Sequence, residues 1–246
     1  MRTDGQVVRC YRHGESEANA GLSTHDPMTI GLTARGLAQA KEIASSMPWS
    51  PDLIVSSPAL RARLTAAPTQ TRFPGVRSAV WPIQEFTYLS PRRCANTSIA
   101  TRRPWVDAYW RQADPHYVDG DGAESFADFI ARVRTFGDLL ASARISGARR
   151  VAVFGHGQFL QAVRCMPIVA GSDTASIDMR AFRALDEGAP IENAELRVLE
   201  LWRARQEGNR GDWALSPASP SHCCTCSDVR IQSFSPISKA GTDLCR

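Results

Sequence analysis

The sequence predicts an α/β fold, a three-layer αβα sandwich around a mostly parallel central sheet. Three observations predict it. Short apolar runs alternate with helical patterns along the chain; each run ends in turn residues; and "VAVFG" (151–155) is apolar at every position, as a strand covered on both faces must be.

The elements follow in order. Val7 and Val8 running into Cys10 give the first strand, and "LTARGLAQAKEIASSM" (32–47) a helix with Thr33 as N-cap and Leu37, Ala40, Ala44 and Met47 on one face. "DLIVSSP" (52–58) and "ALRARLTAAPTQT" (59–71) repeat this strand and helix, and a third strand signal lies near 76–81. Residues 82–117 are rich in proline, arginine and aromatics with no clean period. They are read as an insertion over one end of the sheet, a lid of about 82–122 that closes on the turn Asp119-Gly120-Asp121-Gly122. Phe126, Phe129, Ile130, Val133, Phe136 and Leu140 then recur at helical spacing, in what should be the longest helix. The strand 151–155 leads into a helix at "HGQFLQAVRCM" (156–166), and "ELRVLEL" (195–201) is the last strand. One catalytic domain, 1–205, results. From Gln206 the composition turns to Gly, Ser, Pro and Cys without either period, and 206–246 is expected to be a disordered tail.

The bulk numbers exclude several classes. A chain of 246 residues with 43% apolar and 22% charged residues is an ordinary globular protein with one sizeable core. The net charge of +4 comes without long Lys/Arg blocks, so neither nucleic acid nor a membrane surface is an expected partner. No apolar run of ~18 residues is available to span a bilayer, and no secretory pattern precedes Val7. The seven cysteines are an odd number, with Cys223, Cys224, Cys226 and Cys245 crowded in the tail; reduced thiols and a cytoplasmic location are expected. "HCCTC" (222–226) lacks paired zinc-ligand spacing, so no metal or cofactor is anticipated. Oligomeric state is not legible.

Three strand ends carry comparable cargo: Arg12-His13-Gly14, then Ser56-Ser57 with Arg61, then Gly155-His156-Gly157. In a parallel sheet these ends share one edge, where ligands collect. Two imidazoles and two guanidinium groups would meet there, and helix N-termini would aim N–H groups at the same place. That is a site for a phosphate.

The chain resembles the histidine phosphatase superfamily, in its phosphoglycerate-mutase-like branch. The likeness rests on "RHGESEAN" (12–19), "LTARGLAQA" (32–40), "SSPALRARLTA" (56–66), Glu85-Phe86 and "GHG" (155–157), spread over roughly 7–170. The resemblance implies a phosphoglycerate-mutase-like fold and a small phosphorylated substrate. It implies that His13 is the nucleophile, that Arg12, Arg61 and His156 hold the phosphoryl oxygens, and that Asn19 lies at the pocket rim. Acid-phosphatase-like relatives carry an aspartate directly after the second histidine, where this chain has Gly157. Glu85 matches the acid of the mutase-like branch, with Trp81, Phe86 and Tyr88 nearby to desolvate it.

Competing residues are present. Arg63 competes with Arg61 for the inward position, and Glu15 and Glu124 compete with Glu85, although Glu124 is also expected in a capping arrangement with Asp121. The pairs Arg92-Arg93 and Arg102-Arg103 either reach toward a second anionic group or form a solvated loop face, and His25 and His116 are expected at the surface. The expected activity is a metal-independent phosphomonoester hydrolase using a phosphohistidine. A phosphoglycerate-type mutase and a non-catalytic phosphate-binding regulatory module are the alternatives.

Overall fold

The computed structural model describes residues 5–22, 25–165, 178–203, 213–216 and 231–233. Strands β1 (Gln6–Arg12), β2 (Leu53–Ser56), β3 (Arg77–Val80) and β4 (Arg150–Gly155) run parallel in the order β3-β2-β4-β1. β5 (Leu196–Arg203) joins β1 antiparallel. Its other edge pairs with β6 (Trp213–Ser216) and β7 (Ile231–Ser233).

These last two strands depart from the expected disordered tail. They cover an edge of β5 that would otherwise carry unpaired backbone groups, and strands of four and three residues are too short for a period to be read against the Gly, Ser and Pro around them. The rest of 206–246, including its four cysteines, lies outside the described residues.

Strand periodicity sorts the core into two layers. Val8, Cys10, Leu53, Val55, Val151 and Val153 face one cluster, while Tyr11, Ile54, Ala152 and Phe154 alternate with them into the other. Ile43 of helix α1 (Ala34–Ser46) and Ala66 of helix α2 (Leu60–Arg72) cover the second face. The first face packs helices α5 (Phe126–Ile145), α6 (Gly157–Cys165) and α7 (Met179–Gly188), with Tyr109 and Trp110 of α4 (Ile99–Gln112).

Thr33 caps α1, accepting the Gly36 N–H at 3.1 Å, but the buried stripe is Gly36, Ala40, Ile43 and Ala44. Leu37 is 45% exposed, because the glycine beside it must face inward to meet the loop after β1.

In the insertion, the short helix α3 (Pro91–Cys94) and α4 stand where no period was legible. Pro104 interrupts the α4 pattern, and only Tyr109 and Trp110 of that helix are buried. Helix α7 was also unanticipated, although Asp178 caps it through the Arg180 and Ala181 N–H groups and Met179 and Phe182 supply its buried face.

All six apolar positions expected along α5 are buried. Ser125 is its N-cap, accepting the Asp128 N–H at 3.1 Å and donating to the Asp128 carboxylate at 2.7 Å. Phe129 is the centre of an aromatic cluster that ties the insertion to this helix: Phe86 stacks on it at 4.4 Å between centroids, with Phe126, Phe159 and Phe182 around it. Among the described residues, no helix is long and apolar enough to cross a membrane.

Truncating a fully buried aromatic loses transfer free energy and leaves a cavity. Phe129→Ala is expected to destabilise the protein by about 3–5 kcal/mol. Urea denaturation checks this through a lower midpoint at unchanged slope.

Candidate active site

Strand register builds the site. Arg12 pairs with Gly155 across β1 and β4, and Ser56 with Phe154 across β2 and β4, so the three strands end level. Backbone bonds continue one step past the ladder, from His13 N–H to Gly155 O at 2.9 Å and from Ser57 N–H to Phe154 O at 3.0 Å. His13, Ser57 and His156 therefore emerge side by side. The imidazoles of His13 and His156 stand edge to face with centroids 5.1 Å apart.

Donors and acceptors fix both tautomers. His13 Nδ1 lies 2.8 Å from Gly14 O, which can only accept, so Nδ1 carries the proton. Its Nε2 presents its one lone pair to Arg61 Nε–H at 3.1 Å. His156 is the reverse: Nδ1 faces the Arg61 Nη2 donor at 3.1 Å, and Nε2–H donates to Ser57 Oγ at 2.8 Å. Burial and the neighbouring Arg61 push the His13 pKa down to about 3, and the same causes hold His156 well below the ordinary imidazole range. Both rings are neutral at physiological pH.

Arg61 is buried and Arg63 exposed, because the inward face of α2 is Arg61, Ala62, Thr65, Ala66 and Thr69. Its Nη1 donates to Pro27 O at 2.5 Å, which leaves the other two nitrogens for the histidines. Arg12 anchors one end of its guanidinium on Ile191 O at 2.5 Å. Its buried Nε has no hydrogen-bond partner among the described residues. A Cβ at Gly157 would stand 3.5 Å from that Nε, so position 157 borders the guanidinium directly.

The loop carrying His13 is clamped from three sides. A Cβ on Gly14 would fall 2.5 Å from Gly36 O, and one on Gly36 would fall 2.1 Å from Glu15 O, so two backbones touch with no room for a side chain. Thr65 Oγ1 accepts the Gly14 N–H at 3.0 Å and donates to Arg61 O at 2.7 Å. Asn193 Nδ2 donates to His13 O at 3.1 Å and to Asn19 Oδ1 at 3.0 Å. Ala194, in the left-handed region at φ 62°, turns its N–H toward Arg12 O and His13 O, both at 3.2 Å. Asn19 is exposed at the outer edge, and its Oδ1 also accepts from Ser16 Oγ at 2.9 Å. Asn193 escaped the sequence reading altogether, whereas Ser57, Thr65 and Gly36 lay inside quoted motifs without an assigned role.

Glu85 sits half-buried over the start of α6. Its carboxylate accepts the Phe159 N–H at 3.2 Å and the Gln158 N–H at 3.3 Å. Burial raises its pKa, opposed by the charges of Arg12 and Arg61 and by the amide bonds. Of the aromatics expected to desolvate it, Phe86 stacks on Phe129 and Trp81 leans on Phe136; Tyr88 is the one electrostatically coupled to Glu85.

The rival carboxylates are engaged elsewhere. Glu15 bonds Thr33 Oγ1 at 2.8 Å and pairs with Arg35 at 3.2 Å. Glu124 pairs with Arg132, not with Asp121, since two carboxylates repel and a guanidinium is in reach. The basic pairs are held locally: Arg93 on Asp119 at 2.8 Å and over Trp105, Arg103 on Asp107 at 3.3 Å, Arg102 on Ser98 O at 3.3 Å, and Arg92 beside Asp121 at 4.0 Å. His25 and His116 are exposed. Among the described residues, no group of three or more His, Cys, Asp or Glu side chains is placed to share a metal ion.

Two neutral imidazoles, two guanidinium groups and a half-buried carboxyl at the carboxyl edge of an α/β sheet define a phosphoryl-handling enzyme. A family model for the histidine phosphatase superfamily (branch 1) matches residues 9–207, and the chain belongs to that family. Solved structures share the fold. A mycobacterial glucosyl-3-phosphoglycerate phosphatase superimposes with a TM-score of 0.60 at 24% identity, over 80% of this chain and 90% of its own. A putative alpha-ribazole-5'-P phosphatase from Escherichia coli gives 0.60 at 20% identity, over 79% and 90%. A phosphoserine phosphatase from Entamoeba histolytica, solved with 3-phosphoglyceric acid, gives 0.57 at 17% over the same shares. No curated protein sequence matches the chain.

Two expected outcomes follow from this geometry. Gly36→Ala must displace the loop carrying His13, since the added Cβ meets backbone, and kcat/KM is expected to fall about 10²-fold or more, as a misplacement near 1 Å does; steady-state assays beside a melting curve separate this from unfolding. The second concerns pH. The unfolded chain protonates its histidine below about pH 6.5, while His13 in the folded state stays neutral down to about pH 3. Stability therefore falls as pH falls through that window. Relative to His13→Gln, the wild type should lose about 1.4 kcal/mol more per pH unit between about pH 6 and pH 4, read from urea denaturation at each pH.

Proposed function

We propose that the protein is a metal-independent phosphomonoester hydrolase that acts on a small phosphorylated metabolite through a phosphohistidine at His13. The observation that carries this reading is the His13 tautomer: the proton is committed to Gly14 O, so the lone pair of Nε2 lies among the guanidinium donors. An imidazole in that state is a nucleophile at neutral pH.

In the first step the Arg61 Nε–H hydrogen bond passes from His13 Nε2 to a phosphoryl oxygen, the freed lone pair attacks phosphorus in line, the ester P–O bond breaks, and the departing alkoxide takes the proton of Glu85. Arg61 and Arg12 meet the equatorial oxygens with charge already in place, which stabilises the transition state. A phosphate dianion also raises the proton affinity of His156 Nδ1, and an imidazolium there donates to it. In the second step Glu85, now a carboxylate, takes a proton from water as the oxygen attacks phosphorus. The P–N bond breaks, inorganic phosphate leaves, and His13 and Glu85 return to their starting states.

The guanidinium groups supply the positive charge that a metal provides in other phosphatases. The named substrates of the fold relatives, glucosyl-3-phosphoglycerate and alpha-ribazole-5'-P among them, support a small phosphorylated metabolite as the substrate class. Neighbouring residues on the insertion would recognise the remainder of it.

The test is inorganic phosphate release from p-nitrophenyl phosphate and a panel of phosphorylated metabolites in EDTA, with rapid acid and alkaline quenching to trap the phosphoenzyme. An acid-labile, alkali-stable phosphoenzyme in the wild type, with loss of both signals in His13→Ala, is the expected outcome. Undiminished release in His13→Ala would overturn the reading. Transfer of phosphate within a glycerate without release identifies a mutase instead, and tight phosphate binding without turnover identifies a regulatory module.

A further inference from the structure

Glu85 lies on a stretch with no regular structure between β3 and α3, so neither a ladder nor a helix fixes its backbone. An ion pair between Arg132 of α5 and Glu124, just before that helix, does so instead. Arg132 Nη1 donates to Gln84 O at 2.7 Å and to Pro82 O at 3.2 Å, the carbonyls just before Glu85. Its Nε and Nη2 grip the Glu124 carboxylate at 3.1 and 2.5 Å. Glu124 in turn accepts the Thr87 N–H at 3.2 Å, and its own N–H donates to Thr87 O at 2.9 Å. The backbone is therefore held one residue before Glu85 and two residues after it by the two halves of a single pair.

The guanidinium also rests over the rings of Phe129 and Phe159, each 5.4 Å from its centre. Phe129 carries the Phe86 ring, and the Phe159 amide bonds the Glu85 carboxylate. The pair is largely buried, with side-chain exposures of 11% and 20%. Removing two such charges from water offsets much of their attraction, so stability alone is a weak reason for the pair. Its geometry does something an apolar pair cannot: it satisfies two carbonyls and an amide of a segment that has no strand to bond.

We propose that Arg132 and Glu124 are positioning residues for proton donation by Glu85, and that they thereby set how the enzyme responds to the basicity of the leaving group. The inference rests on the reading of Glu85 as the general acid. A poor leaving group such as an alkoxide needs that proton in the transition state, whereas p-nitrophenolate departs without it. A displaced acid therefore penalises alkyl esters selectively. A loss of general structural integrity penalises all esters alike.

The test measures kcat/KM, which reports the transfer to His13, for a series of aryl and alkyl phosphate monoesters with the wild type, Arg132→Met, Glu124→Gln and Glu85→Gln. Glu124→Gln keeps the shape of the pair and carries the comparison if Arg132→Met does not fold. Either variant of the pair is expected to lose about tenfold or more on alkyl esters relative to its loss on p-nitrophenyl phosphate, which steepens the plot of log kcat/KM against leaving-group pKa. Glu85→Gln should steepen it further, within the 10²–10⁴-fold range of a positioned acid. A uniform loss in the folded pair variants beside a steepened plot in Glu85→Gln overturns the positioning role alone. A uniform loss in Glu85→Gln overturns the acid reading, and the inference with it.

Discussion

A single buried guanidinium bonded to two imidazoles is the constraint around which this protein is built. Arg61 donates to Nε2 of His13 and to Nδ1 of His156, which is possible only if each ring presents a lone pair there. Each ring must then place its proton on the opposite nitrogen, and each finds an acceptor behind it, Gly14 O for one and Ser57 Oγ for the other. Those acceptors are in place because β1, β2 and β4 end level. The contact between Gly14 and Gly36 belongs to the same chain of causes, since the carbonyl that receives the His13 proton is on the glycine that α1 pins.

The site divides into two halves with different mechanical support. The phosphate half stands on strand ends and helix starts, where ladder hydrogen bonds limit displacement. The carboxyl half stands on an irregular segment of the insertion and depends on side chains for its placement. α6 joins them: His156 immediately precedes its first residue, and its first free N–H groups bond Glu85. His156 and the amides that hold Glu85 are therefore placed by one helix start.

The phosphate half was legible in the sequence because its residues are adjacent to elements with strong local signals. Arg12-His13-Gly14 and Gly155-His156-Gly157 end apolar runs, whereas Arg61 is preferred to Arg63 through the resemblance of "SSPALRARLTA" to the family's motif, and α2 turns Arg61 inward with Thr65 and Ala66. Other features had no local signal. Asn193 reaches His13 across 180 positions of sequence, and nothing in "IENAE" marks it. Pro104 masks α4, and Leu37 looks inward by hydropathy but yields to a glycine whose small size is what the contact needs. The paired strands of the tail are invisible for a related reason: they exist through pairing with β5, not through their own pattern.

The balance at Glu85 links the two halves electrostatically as well. Burial raises its pKa, while Arg12, Arg61 and the amides of Phe86 and Gln158 lower it. Two of those opposing influences are the guanidinium groups that, on the proposed reading, meet the phosphate. A dianion seated between them neutralises their effect on the carboxyl and adds a negative charge of its own, and both changes favour the protonated acid. In the proposed reaction, departure of the alcohol would consume that proton and leave a carboxylate beside the phosphohistidine, the form able to accept a proton from water. On that reading, arrival of substrate would load the acid and the first chemical step would produce the base for the second. The arrangement needs a carboxyl that senses both arginines and is itself partly withdrawn from water, and Glu85, half-buried over the start of α6 with Arg12 and Arg61 among the charges acting on it, has that placement.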